Sequence, residues 1–148
     1  ESGCEVGRGD GWLRVRGPER PEPVDFATLP FPGFHTDMHP QMVALLSIAS
    51  GTSVITENLY DSRFRYVGEL ARMGADITTE AQHAIIRGVD QLSGCPVLAP
   101  DIRAGAALVI AGLGADGTTS VGEITHIDRG YEDFVGKLAS LGANIQRT

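Results

Sequence analysis

The chain has 148 residues, 42% of them hydrophobic and 21% charged, with a formal net charge of −7. A length of this order fits one domain that buries roughly 68–70% of its unfolded surface, and the acidic balance excludes a broadly electrostatic nucleic-acid or anionic-membrane surface. The least polar run, Ala104 to Ala115, falls short of the roughly 18 residues of a membrane-spanning helix, so no segment is expected to cross a bilayer.

In chain order, Cys4-Glu5-Val6 and Trp12-Leu13-Arg14-Val15 flank the turn Gly7-Arg8-Gly9-Asp10-Gly11 and predict a hairpin. The stretch Gly17-Pro18-Glu19-Arg20-Pro21-Glu22-Pro23 cannot be helical and leads as a loop or edge into Val24-Asp25-Phe26. A helix is predicted after Phe34, capped by Thr36 or Asp37, with Pro40 in its first turn, Met38, Met42, Leu45, Leu46 and Ala49 at helical spacing, and Gly51 at its end. A strand over Thr52–Thr56, a short helix over Arg65–Met73 stopped by Gly74, and strands over Ala75–Thr79 and Ala84–Gly88 follow.

The pattern then starts again. An extended Pro96–Ala99 precedes Asp101, which opens a helix running to about Leu113. After it come a strand near Thr118–Val121, a helix over Tyr131–Leu141 and a last strand over Ala143–Gln146. Arg63 follows Gly51-Thr52 at the same interval at which Arg129 follows Gly117-Thr118, and Leu70-Ala71-Arg72-Met73-Gly74-Ala75 is echoed by Leu138-Ala139-Ser140-Leu141-Gly142-Ala143. Duplication of one α/β unit explains this most simply. The helix opened by Asp101 is apolar or small on nearly every side, which predicts that protein covers its whole circumference. Helices inside and sheets outside is the inverse of usual layering.

Asp37 and Asp101 each stand at a predicted helix start, where an aspartate serves as an N-cap at least as readily as it does chemistry. Arg63, Arg103 and Arg129 are harder to account for as surface residues, and an arginine beside a helix start makes a site for carboxylate or phosphate. The competing reading is an Arg–Asp pair that ties the two units together. Gly130, next to Arg129, leaves room for close approach of a ligand or of backbone. His35, Asp37 and His39 do not form a metal set, because the imidazoles diverge once the chain turns helical. No phosphate-cradling Gly-x-x-x-x-Gly-Lys-Ser/Thr loop occurs. Cys4 and Cys95 lack zinc spacing and an activating neighbour, so reduced cytoplasmic thiols are expected. The chain opens on Glu1 inside a strand-turn-strand pattern, which is expected of a piece of something longer.

Together, Pro30-Phe31-Pro32-Gly33-Phe34-His35-Thr36-Asp37-Met38, Asp61-Ser62-Arg63-Phe64, Asp101-Ile102-Arg103-Ala104-Gly105-Ala106-Ala107-Leu108-Val109 and His126-Ile127-Asp128-Arg129-Gly130-Tyr131-Glu132 resemble the C-terminal part of the UDP-N-acetylglucosamine 1-carboxyvinyltransferase family. The resemblance implies an α/β fold of the EPSP synthase-like kind, an inside-out barrel built of repeated βαβαββ units. It would be present here as an incomplete domain, with closing strands of one unit over 1–23, a unit over 24–90 and another over 91–148. It implies a cytoplasmic enzyme that moves the enolpyruvyl group of phosphoenolpyruvate to the 3-hydroxyl of UDP-N-acetylglucosamine and releases phosphate, the first committed step of peptidoglycan synthesis. No cofactor, metal, nucleic acid or membrane is implied.

By the same resemblance, Asp37 contacts the sugar hydroxyl and is the general base, and the Leu59 backbone touches the UDP-sugar. Arg63, Arg103 and Arg129 line the phosphoenolpyruvate side, Arg129 counting with Asp37 as catalytic, and Asp101 is the acid beside Arg103. The mobile loop whose Cys or Asp protonates C3 belongs to a missing N-terminal domain, so these residues alone are expected to be inactive. His39 stands where the family usually has glutamine. The alternatives are a transferase acting on shikimate 3-phosphate and a non-catalytic binding or interaction module whose acids cap helices and whose arginines tie the repeats together.

Overall fold

A computed structural model describes residues 1–148. The predicted hairpin forms from β1 (Glu5–Gly9) and β2 (Trp12–Arg16), paired antiparallel about a two-residue turn at Asp10-Gly11. Gly11 takes φ +73° there, a conformation open to glycine at no steric cost. The proline-rich segment after it is pinned by Arg20, whose guanidinium donates to the carbonyls of Ile48 and Gly88 and to Asp90.

From β3 (Phe26–Ala27) the chain runs through α1 (His39–Leu46), β4 (Thr52–Thr56), α2 (Val67–Arg72), β5 (Asp76–Glu80) and β6 (His83–Arg87). Each helix is entered through a 3₁₀ turn, Thr36–Met38 before α1 and Arg63–Tyr66 before α2. The four strands make one sheet in the order β3-β4-β6-β5, with β3 parallel to β4 and the other pairs antiparallel. Period-two alternation sends Ser53 and Ile55 of β4 and Ala84 and Ile86 of β6 to one buried face, while their neighbours face outward. Gly88, just past β6, donates to the Gly51 carbonyl, and a Cβ there would strike the Ala49 backbone, so the close approach of strand end to helix end requires glycine.

The second copy supplies β7 (Pro96–Leu98), α3 (Ile102–Gly114), β8 (Ser120–Gly122), α4 (Thr125–Asp128) and α5 (Phe134–Ser140), with β7 and β8 parallel. Helices α1 and α3 pack on one another, and the main core joins Val43 and Leu46 of α1, Leu70 of α2 and Ala104, Ala107 and Leu108 of α3 to Ile55, Ile86 and Val97 of the strands. Small residues on α3 let the two helices approach closely between the sheets. The inside-out layering is therefore present.

Four details differ from the sequence reading. Coverage of α3 is complete only from Ala104 to Val109; Ile110 and Leu113 in its last turns are each 43% exposed. The final helix starts at Phe134 rather than Tyr131, because Asp133 in the left-handed region (φ 45°) caps it by accepting from Gly136. A short helix, α4, precedes it where none was expected. Ala143–Gln146 forms no strand. In the first copy β5 is held by the ladder of β6, and here no strand lies beside the equivalent residues to take up their N–H and C=O groups.

Candidate functional site

The two aspartates, equivalent by sequence, do different work. Asp101 is an N-cap: its backbone is extended and its carboxylate accepts from the N–H groups of Arg103 (2.8 Å) and Ala104 (3.0 Å). Asp37 lies inside the 3₁₀ turn before α1, and the role of cap falls to the His35 ring, whose Nδ1 accepts from the Asp37 N–H at 3.3 Å. The Asp37 carboxylate is thus free of its own helix. It accepts from Arg103 Nε across the gap between the two copies, lies 3.5 Å from Arg63 Nη2, and has His35 Nδ1 3.7 Å away. An Arg–Asp pair does tie the two copies together, on a carboxylate still 41% exposed.

The Arg103 hydrogen bond holds the Asp37 carboxyl below its ordinary range; partial burial works the other way, and the charges of Arg103 and Arg63 add to the lowering. The same bond raises Arg103.

Arg63 is buried, its side chain 6% exposed. Its Nε donates to Thr36 Oγ1 (3.1 Å) and its guanidinium carbon stands 4.6 Å from the centre of the Tyr60 ring, a cation–π contact. Beneath it lies Glu57, a carboxylate at the end of β4 that is 2% exposed. One oxygen, Oε1, accepts from Thr28 Oγ1 (2.7 Å), the Leu59 N–H (2.8 Å) and the Tyr60 N–H (3.1 Å), while Oε2 accepts from Thr36 Oγ1 (2.8 Å). Burial pushes this carboxyl up, and the bonds from Thr28, Leu59 and Thr36 more than offset it, so Glu57 stays ionised below the usual range. Sequence patterning gave no sign of Glu57; its one clue is a carboxylate at the C-terminal end of a half-buried strand.

Asp37, Arg63 and Arg103 therefore converge, with Asp101 at the base of Arg103 and Leu59 on the adjoining loop. Arg129 does not join the cluster. It ends α4 instead of opening a helix, and its side chain is exposed. Gly130 does mark a close approach, but to the Ile102 side chain, which draws the 129–131 turn against the start of α3.

His39 points the other way. It is fully buried, edge-on to Phe64 and Tyr66, with Nδ1 3.2 Å from the Tyr66 hydroxyl and Nε2 unpartnered. Burial pushes its pKa down from 6.5 to about 4, with Glu57 opposing and Arg63 assisting. Between those values the unfolded chain binds a proton that the native state refuses, so stability falls as pH drops from 6.5 toward 4. The two values imply a loss on the order of 3 kcal/mol. His39→Gln, which keeps a partner for Tyr66, should flatten that loss in urea titrations at pH 7, 5 and 4; parallel losses in the two proteins would assign it to other groups.

No helix is long and apolar enough to cross a membrane. The EPSP synthase (3-phosphoshikimate 1-carboxyvinyltransferase) family model matches residues 1–138. The chain is 55% identical over 148 residues to the UDP-N-acetylglucosamine 1-carboxyvinyltransferase 2 of Caldanaerobacter subterraneus subsp. tengcongensis, covering 99% of this chain and 36% of that protein. It is 56% identical over 147 residues to the UDP-N-acetylglucosamine 1-carboxyvinyltransferase of Mycobacterium tuberculosis, covering 99% and 35%. It thus spans about a third of the length of the curated relatives it matches. Among solved structures, the enolpyruvyl transferase NikO from Streptomyces tendae superposes with a TM-score of 0.88 at 28% identity, over 98% of this chain and 34% of that one. EPSP synthase from Acinetobacter baumannii follows at 0.61 and 25%, over 88% of this chain and 34% of that one. The inside-out packing of α1 and α3 and the family match over nearly the whole sequence agree, and the chain belongs to the EPSP synthase (3-phosphoshikimate 1-carboxyvinyltransferase) family.

Proposed function

We propose that these residues are the C-terminal part of a cytoplasmic UDP-N-acetylglucosamine 1-carboxyvinyltransferase of peptidoglycan synthesis, comprising closing strands over 1–23, a unit over 24–90 and another over 91–148. The observation that carries this reading is the Asp37 carboxylate, free of capping duty, half-exposed, and set between two guanidinium groups drawn from different copies of the repeat. Identity of 55% to a relative bearing that name supports it.

The arrangement suits the chemistry. Asp37 takes the proton of the sugar 3-hydroxyl as that oxygen bonds to C2 of phosphoenolpyruvate, and C3 receives a proton from an acid outside these residues. The tetrahedral ketal then loses a C3 proton and the C2–O bond to phosphate, leaving the enolpyruvyl ether. Arg63 and Arg103 hold the substrate carboxylate and the departing phosphate, with Arg129 closing from the turn after α4. At rest Arg103 occupies Asp37 and weakens it as a base. A bound anion that draws Arg103 away raises the basicity of Asp37 only once the second substrate is in place.

The full-length protein should release phosphate from phosphoenolpyruvate in the presence of UDP-N-acetylglucosamine and not of shikimate 3-phosphate. Residues 1–148 alone should release none, because the C3 acid and the other wall of the cleft are absent. Turnover of shikimate 3-phosphate by the full-length protein would replace this reading with the other transferase, and no turnover of either substrate would favour a binding module.

A further inference from the structure

Resting on that reading, we propose that Glu57 is a positioning residue beneath both substrate subsites, with its two oxygens acting separately. One oxygen shapes the Leu59–Tyr60 loop toward the UDP-sugar, and the other aims Arg63 through Thr36 at the phosphoenolpyruvate anion. Glu57 reaches neither substrate; it is 2% exposed beneath the loop. A buried carboxylate is costly unless its lone pairs are satisfied, and here four donors from three segments converge on it. Two of the donors are the successive N–H groups of Leu59 and Tyr60, which fixes the loop backbone. A third, from Thr28, ties the same oxygen to the end of β3.

The fourth donor sets a direction. Because the Thr36 hydroxyl gives its proton to Oε2, its oxygen lone pairs face Arg63 Nε, 3.1 Å away. The guanidinium is held by this contact and by the Tyr60 ring, which leaves Nη2 directed at Asp37. A neutral amide at position 57 can still accept from the loop N–H groups, but its NH₂ would donate into Thr36 and compete with Arg63 for the same oxygen.

In the full-length enzyme, Glu57→Gln should therefore raise KM for phosphoenolpyruvate roughly tenfold, the size expected of one hydrogen bond to a charged group. KM for UDP-N-acetylglucosamine should stay within about twofold, since the loop bonds persist. Thr36→Val, which leaves Glu57 in place, should reproduce that split, and Thr36→Ser should restore wild-type constants. Equal changes in both KM values, or a fall in kcat alone with the melting temperature, would reduce Glu57 to a structural role and overturn the proposal.

The Nε–H exchange of Arg63, followed by NMR, reads the same link without turnover. It should be slow in wild type and in Thr36→Ser and fast in Glu57→Gln and Thr36→Val. Slow exchange in all four overturns the positioning role even if the wild-type enzyme is fully active. An inactive wild type with the expected exchange pattern overturns the transferase reading alone.

Discussion

Asp37→Asn in the full-length protein is expected to lower kcat by roughly a thousandfold, within the range contributed by a positioned general base. The melting temperature should fall only modestly, because Asp37 caps no helix and its ion pairs are made by a carboxylate 41% exposed: the His35 ring takes the Asp37 N–H and α1 starts without its carboxylate. The substitution is isosteric and still offers an oxygen to Arg103 and Arg63, so substrate binding should survive, but an amide cannot take the proton that the proposed mechanism assigns to Asp37. Asp101→Asn is the matched control from the equivalent position. Its carboxylate spends itself on the N–H groups of Arg103 and Ala104, and asparagine caps nearly as well, so turnover should fall far less. Steady-state phosphate release with both variants checks the contrast. An Asp37→Asn enzyme within tenfold of wild type would mean that another group takes the proton.

That asymmetry is the part of the site the sequence could not resolve. Both aspartates precede helices and both precede small or apolar residues, yet capping depends on whether the preceding backbone is extended and on which side chain reaches the first N–H groups. At position 101 it is the aspartate itself, while at 37 a histidine two residues earlier intervenes. Local signals were otherwise dependable: strand alternation over Thr52–Thr56, glycine at positive φ after α2, and the Asp101 cap all depend on neighbours within a few residues. Long-range requirements are less legible in a sequence. Glu57 is made a buried anion by donors that lie 29 and 21 residues away as well as by its own loop. A helix predicted over Tyr131–Leu141 puts Arg129 at a helix start. The extra turn of α4 in the second copy moves it to a helix end.

Arg103→Lys keeps a positive charge beside Asp37 and tests whether charge suffices. The expected result is a loss of about a hundredfold in kcat/KM for phosphoenolpyruvate, the order of the two parallel hydrogen bonds that a planar fork makes to a carboxylate or phosphate and a point-charge ammonium does not. The fold should tolerate it: the side chain is 40% exposed, and the α3 cap uses only the Arg103 backbone N–H. A value within threefold of wild type would mean that Arg103 serves as a charge on Asp37 and not as a grip on the anion. The double variant with Asp37→Asn separates these roles, because groups acting through one another are non-additive. If lysine costs nothing further once the carboxylate is gone, the arginine acts through Asp37. If the losses multiply, Arg103 leaves Asp37 for phosphoenolpyruvate during turnover, and the ion pair of the resting state marks the place that the substrate anion takes.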